Sequence, residues 1–123
     1  MDVSEYQTGT RATAIYGEST DTLLDKEFDI IGTFIDLSYV TLKLNGEAGE
    51  IAEEIGKLLR DDYGEMKSER EEKIIKEIGD LCWYLSQLCN ELGISLESVM
   101  EDNLAKLQKR QREGKLHGSG SDR

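Results

Sequence analysis

Apolar residues in this chain recur at steps of three and four. From Ile74 they run Ile74, Ile78, Leu81, Leu85, Leu88 and Leu92, with Ile75, Cys82 and Cys89 flanking them at steps of seven. That is the period of one wide helix face, and the spacing predicts that the face is buried. Gly93 supplies a left-handed residue to end the helix, and Ser95 can cap the next one, whose stripe is Leu96, Val99, Met100, Leu104 and Leu107. Upstream, Leu44, Ala48, Ile51, Ala52, Ile55, Leu58 and Leu59 carry the same signature. This predicts a helix beginning near Phe34 or Tyr39, running to about Arg60 and broken by Asp61, Asp62, Tyr63 and Gly64. A weaker helix is predicted over Glu5 to Ile15, and Gly17 to Gly32 is ambiguous between a loop and an irregular helical segment.

The chain has no proline, and its β-branched residues form no sustained alternation. The expected class is therefore all-α, an antiparallel bundle of four to five helices. With 123 residues, one domain is expected, over residues 1–112, and it can bury roughly two thirds of its unfolded surface. Residues 113–123, which end in GKLHGSGSDR, are rich in glycine and serine and lack an apolar stripe, the composition of a mobile tail. The predicted stripes hold more apolar surface than so short a chain can cover, so a second copy is expected to complete the bundle.

Charge narrows the partners. A net charge of -11 argues against nucleic acid and anionic membranes, both polyanions, and in favour of a cation. The start, MDVSEYQTGTRATA, lacks the basic and apolar runs of a signal peptide, and no apolar stretch approaches the roughly 20 residues of a membrane helix, so a cytoplasmic protein is expected. Cys82 and Cys89, seven residues apart on one helix, lie about 10 Å apart, too far for a disulfide, and read as small core residues.

Within LNGEAGEIAEEIGKLL, Glu47, Glu50 and Glu54 fall at helical steps on one side. On the next helix Glu77 and Asp80 share a face, with Tyr84 one turn further on. If the two helices pack together, ExxE meets ExxD, and four carboxylates in a small volume repel unless protonated or bridged by a metal. Oxygen ligands alone favour a hard cation such as Mg²⁺. The other reading stays open: acidic helix faces are mostly solvated and balanced by lysines at i,i+4, as Glu53 with Lys57 and Glu72 with Lys76 would be.

The ordered set LNGEAGEIAEEIGK, KEIGDLCWYL and ELGISLESVMEDNLAKLQKR resembles the MazG-like all-α nucleoside triphosphate pyrophosphohydrolases, over roughly Leu42 to Arg110, and the short tail resembles that of stand-alone members. The resemblance implies Mg²⁺-dependent hydrolysis, with Mn²⁺ as a substitute, of a nucleoside triphosphate to the monophosphate and pyrophosphate. It also implies a homodimer or homotetramer. Glu47, Glu50, Glu77 and Asp80 carry over as metal ligands, with Glu47 or Glu50 as the base toward water. Asn103 and Lys106 match an NxxK on the last helix, expected to reach sugar or phosphates, and Arg110 lies a further turn along that face. Tyr84 points along the metal-bearing face, where its ring can stack on a base. Trp83 is expected to face elsewhere, into an interface or core, and His117 to lie exposed in the tail. Close rivals are a dUTP or dCTP specialist and a phosphoribosyl-ATP pyrophosphatase; the distant one is an acidic helical interaction module without catalysis.

Overall fold

The computed structural model describes residues 1–17 and 29–120, with the backbone alone over residues 29–32. It contains four α-helices and no strand among the described residues. The first, α1, spans Val3–Arg11 rather than Glu5 to Ile15. Its start is set by Asp2, whose side chain accepts from the Glu5 N–H while the Glu5 carboxylate accepts from the Asp2 N–H, a reciprocal cap that satisfies two otherwise orphaned donors.

Helix α2 spans Asp29–Asp61, and so begins at least five residues before the expected Phe34 or Tyr39. Gly32, at the end of the ambiguous segment, is carried inside the helix because one glycine costs only about 1 kcal/mol and a long helix absorbs it. Of the ambiguous segment, residues 18–28 lie outside the described residues. The helix ends where expected, with Tyr63 and Gly64 both at positive φ and the Gly64 N–H donating to the Leu58 carbonyl. Helix α3, Ser68–Leu92, then returns along α2.

This hairpin is clamped at its closed end by Arg70, whose guanidinium donates to Asp62 and to Glu54, each at 2.6 Å. Lys57 bonds Glu53 at 2.8 Å, the i,i+4 pair expected from sequence. Gly93, at φ 66°, closes α3, and Ser95 accepts from the Ser98 N–H to open α4, Leu96–Arg112.

Helix α1 packs on α3 and on α4. Gln7 joins all three: its amide nitrogen donates to Asn90 Oδ1 at 3.0 Å and to the Ile94 carbonyl at 2.8 Å, and its oxygen accepts from the Leu96 N–H at 2.9 Å. Thr10 and Ser86 meet between α1 and α3 with their hydroxyls 3.0 Å apart.

The expected burial of the α3 stripe needs correction. Among the described residues the buried apolar side chains are Val40, Leu58, Cys89 and Leu96, whereas Ile75, Ile78, Leu85 and Leu92 are exposed, as are Val99, Met100, Leu104 and Leu107 on α4. The period identifies the helices correctly, but among the described residues their apolar faces are left largely uncovered. Both cysteines are free; Cys89 is buried as expected, while Cys82 is exposed. No helix among the described residues is long and apolar enough to cross a membrane.

Candidate metal centre

Packing α2 along α3 brings the two acidic motifs together. Glu47 from α2 and Glu77 and Asp80 from α3 each offer one carboxylate oxygen, and these oxygens lie within 4.8 Å of one another. Steps of three along α3 place Glu77 and Asp80 on the same face, and that face is the one turned toward α2. Glu50 does not belong to this group, although its negative charge is felt at Glu77.

The crowding acts on Glu77. Glu77 has its pKa raised, first by burial, then by the charges of Glu47, Asp80 and Glu50 and by a hydrogen bond shared with Glu47. A carboxylate held this way favours a proton or a bridging cation. The donor set is oxygen only, with no histidine or cysteine in the group, which fits a hard divalent ion better than zinc or copper.

A cavity of about 370 Å³ opens on this cluster, lined by Thr13, Glu47, Asp80, Trp83 and Tyr84. Tyr84 therefore sits where the sequence placed it, and its hydroxyl is pushed up to about 12, by burial first and then by a hydrogen bond with Tyr39. Trp83 does not face away as expected. Its indole N–H donates to Thr13 Oγ1 at 2.8 Å, and its ring lies edge-on to Tyr84 and to Tyr16, with centroids 4.9 and 6.4 Å apart. A single step of about 100° separates residues 83 and 84 on a helix wheel, but an indole is long enough to reach around that angle when Thr13, just past the end of α1, offers it a partner.

Lys43 is a second site residue that the motifs do not disclose. Its ammonium lies 3.7 Å from Glu47 and 5.6 Å from the centre of the Tyr84 ring, which sets a cation beside the carboxylate cluster and over an aromatic face. The i,i+4 spacing of Lys43 and Glu47 was visible in sequence, yet it is the ordinary spacing of a surface pair.

The residues expected on the last helix are not gathered here. Asn103 and Lys106 are exposed on α4 and do not line the cavity. Arg110 is only 6% exposed and donates to the Gly120 carbonyl at 3.3 Å, holding the tail back against the end of α4. His117 is exposed, as expected.

Comparison with known proteins agrees with the geometry. The family described as MazG nucleotide pyrophosphohydrolase domain matches residues 37–114, a span containing all three carboxylates. The chain is 41% identical to the Gene 37 protein of Mycobacterium phage L5, over the whole length of both. It is 34% identical to the uncharacterized protein YvdC of Bacillus subtilis (strain 168) over 84 residues, covering 64% of this chain and 76% of that one. No solved structure matches it significantly.

Proposed function

The chain belongs to the MazG nucleotide pyrophosphohydrolase domain family, and on that premise we propose that it hydrolyses a nucleoside triphosphate to the monophosphate and pyrophosphate with the help of Mg²⁺, as a homo-oligomer serving nucleotide-pool housecleaning in the cytoplasm. The observation that carries this reading is the convergence of Glu47, Glu77 and Asp80 at the mouth of an aromatic-lined cavity. The catalytic domain is assigned to residues 1–112, with residues 113–123 as an appended tail.

Glu47, Glu77 and Asp80 would hold the ion, with Glu50 as the nearby fourth carboxylate. When bound, Mg²⁺ supplies neutralisation of the triphosphate and polarisation of a phosphoryl oxygen, and Mn²⁺ has the same preference for oxygen ligands. Glu50, outside the tight cluster, is the carboxylate best able to accept the proton of the attacking water. Lys43 offsets charge on the phosphates. Tyr84 and Trp83 offer ring faces to the nucleoside and keep water from one side of the cavity. Asn103 and Lys106 reach the substrate only if a second copy of the chain presents them.

The test is pyrophosphate release from a panel of ribo- and deoxyribonucleoside triphosphates, with and without Mg²⁺. Asp80→Asn and Glu50→Gln are each expected to lower kcat/KM at least about 100-fold while the helical circular dichroism is kept, a loss in the range seen when a group acting on the transition state is removed. Near-normal turnover in either variant would overturn the assigned site. A protein indifferent to every triphosphate and to Mg²⁺ would return the reading to an acidic interaction module.

A further inference from the structure

We propose that the base of the bound nucleotide is read in a second, polar cavity, where the side-chain amide of Gln87 donates a hydrogen bond to an acceptor on the base; this rests on the nucleotide reading above. The cavity measures about 310 Å³ and is lined by Arg11, Tyr16, Asp36, Gln87, Asn90 and Glu91, among others. Gln87 is 1% exposed, and its Nε2 has no partner among the described residues. An amide donor sealed from water and left unsatisfied is rare in folded proteins and calls for a ligand.

The orientation of that amide is fixed by a relay that begins at the backbone. The Ile94 carbonyl accepts from Gln7 Nε2 and the Leu96 N–H donates to Gln7 Oε1, so Gln7 cannot be flipped. Gln7 Nε2 in turn donates to Asn90 Oδ1, and Asn90 Nδ2 donates to the Gln7 carbonyl, so Asn90 is fixed as well. Asn90 Nδ2 then faces Gln87 Oε1 at 3.4 Å. What Gln87 has left to offer a ligand is a donor. Tyr16, whose single hydroxyl proton is divided between Glu91 and the same Gln87 oxygen, braces the other side.

Position connects this cavity to the carboxylates. Asp80, Tyr84, Gln87 and Glu91 follow one another at steps of four, three and four, on one face of α3. Seven residues separate Asp80 from Gln87, about 10 Å along the axis, comparable to the reach of a nucleotide from its phosphates to the far edge of its base. The wall between them is aromatic: Tyr16 stacks on Tyr39 at 5.5 Å and meets the edge of Trp83, which meets Tyr84. Flat rings suit a base. Two carboxylates against one guanidinium repel a phosphate, so the neutral end of the nucleotide belongs here and the charged end at the metal. Gln87 as donor and Glu91 as acceptor one turn later match a base edge that presents a carbonyl or ring-nitrogen acceptor beside an N–H.

The experiment compares the preferred nucleoside triphosphate with ribose 5-triphosphate, which lacks a base, in the full chain and in Gln87→Leu and Gln87→Glu. Gln87→Leu is expected to raise KM for the nucleotide at least about tenfold and flatten preference among bases, with hydrolysis of ribose 5-triphosphate unchanged and Tm equal to or above that of the parent. Gln87→Glu keeps the shape but replaces the donor, and is expected to lose the same preference; it serves if the leucine variant does not fold. Unchanged KM and base preference in both variants overturns the proposal, as does an equal loss on ribose 5-triphosphate, which marks a structural role. If the parent hydrolyses no triphosphate, the enzymatic reading fails separately, and calorimetric titration with nucleoside monophosphates decides the cavity: binding lost in Gln87→Leu sustains it, and no binding by the parent refutes it.

Discussion

At the scale of single residues, the acidic cluster makes opposite demands on the protein with and without its ion. Glu77, whose pKa is raised by burial and by Glu47, Asp80 and Glu50, holds its proton more tightly folded than unfolded. Its contribution to stability therefore falls as pH rises from the ordinary glutamate range through the raised folded value, and stays lost above it. Glu53, Asp61 and Asp62 act in the other direction. Their pKa values are lowered by hydrogen bonds from Lys57, Arg60 and Arg70 respectively, so the stability they add is present above their ordinary range and disappears as pH falls through the lowered values. In chelator, Tm is expected to decline from mildly acidic toward neutral pH, and Glu77→Gln should raise Tm at neutral pH and flatten that decline. Adding Mg²⁺ should raise the Tm of the parent at neutral pH and leave Glu77→Gln less affected. A thermal-unfolding series at several pH values, with and without the metal, measures all three outcomes. The cluster was legible in sequence because ExxE and ExxD need only helical spacing and contact between neighbouring helices. Glu50 was expected among the ligands on the same ground, but the spacing cannot say which carboxylates of a pair turn fully inward. Trp83, Tyr16, Gln87 and Lys43 were not legible as site residues, because each is placed by a partner far away in sequence or by an interaction of ordinary spacing.

At the scale of the helices, the boundaries that sequence predicts best are those with local causes. Gly93 at φ 66° and the Ser95 cap are such cases, and Gly93→Ala is expected to cost about 1 kcal/mol in urea unfolding, because alanine must adopt a left-handed backbone. The start of α2 was placed too late because the stretch up to Gly32 read as ambiguous, although Ile30 and Ile31 precede Phe34 and Ile35 at helical steps. The placement of α1 was beyond a local reading for a different reason. It is held by Gln7, a polar residue that no hydrophobic pattern singles out, through bonds to residues more than eighty positions away. Gln7→Leu leaves the Leu96 N–H at a helix start and the Asn90 amide without their partner, and is expected to destabilise the fold by about 2 kcal/mol. It should also loosen the relay that orients Gln87, so the same variant is expected to raise KM for the nucleotide. A variant that lost stability yet kept both KM and base preference would separate the docking of α1 from base recognition.

At the scale of the whole molecule, the balance of buried and exposed surface among the described residues supports the proposal of a second copy. Among the described residues only four apolar side chains are buried, while Phe34, Leu42 and Leu59 on α2 and Leu104 on α4 are each more than half exposed. A monomer that stays soluble on its own rarely leaves so much apolar surface on successive elements. On α4 the exposed residues Val99, Met100, Leu104 and Leu107 follow steps of one, four and three, a stripe suited to a facing helix. Asn103 and Lys106 lie beside that stripe, so a copy docked there carries them into the interface. Light scattering at micromolar concentration is expected to give a dimer or tetramer. Leu104→Glu, which places a charge in the seam, should shift the mass toward monomer, lower Tm and reduce turnover together. If assembly matters to chemistry through Asn103 and Lys106, Lys106→Ala should reduce turnover while leaving the oligomer intact. An inactive Lys106→Ala mixed with an inactive Asp80→Asn should then regain part of the activity, because a mixed assembly can bring one intact carboxylate cluster to one intact lysine. Recovery on mixing would place the two residues in one site made from two chains, whereas no recovery with exchange of subunits demonstrated would confine the site to a single chain.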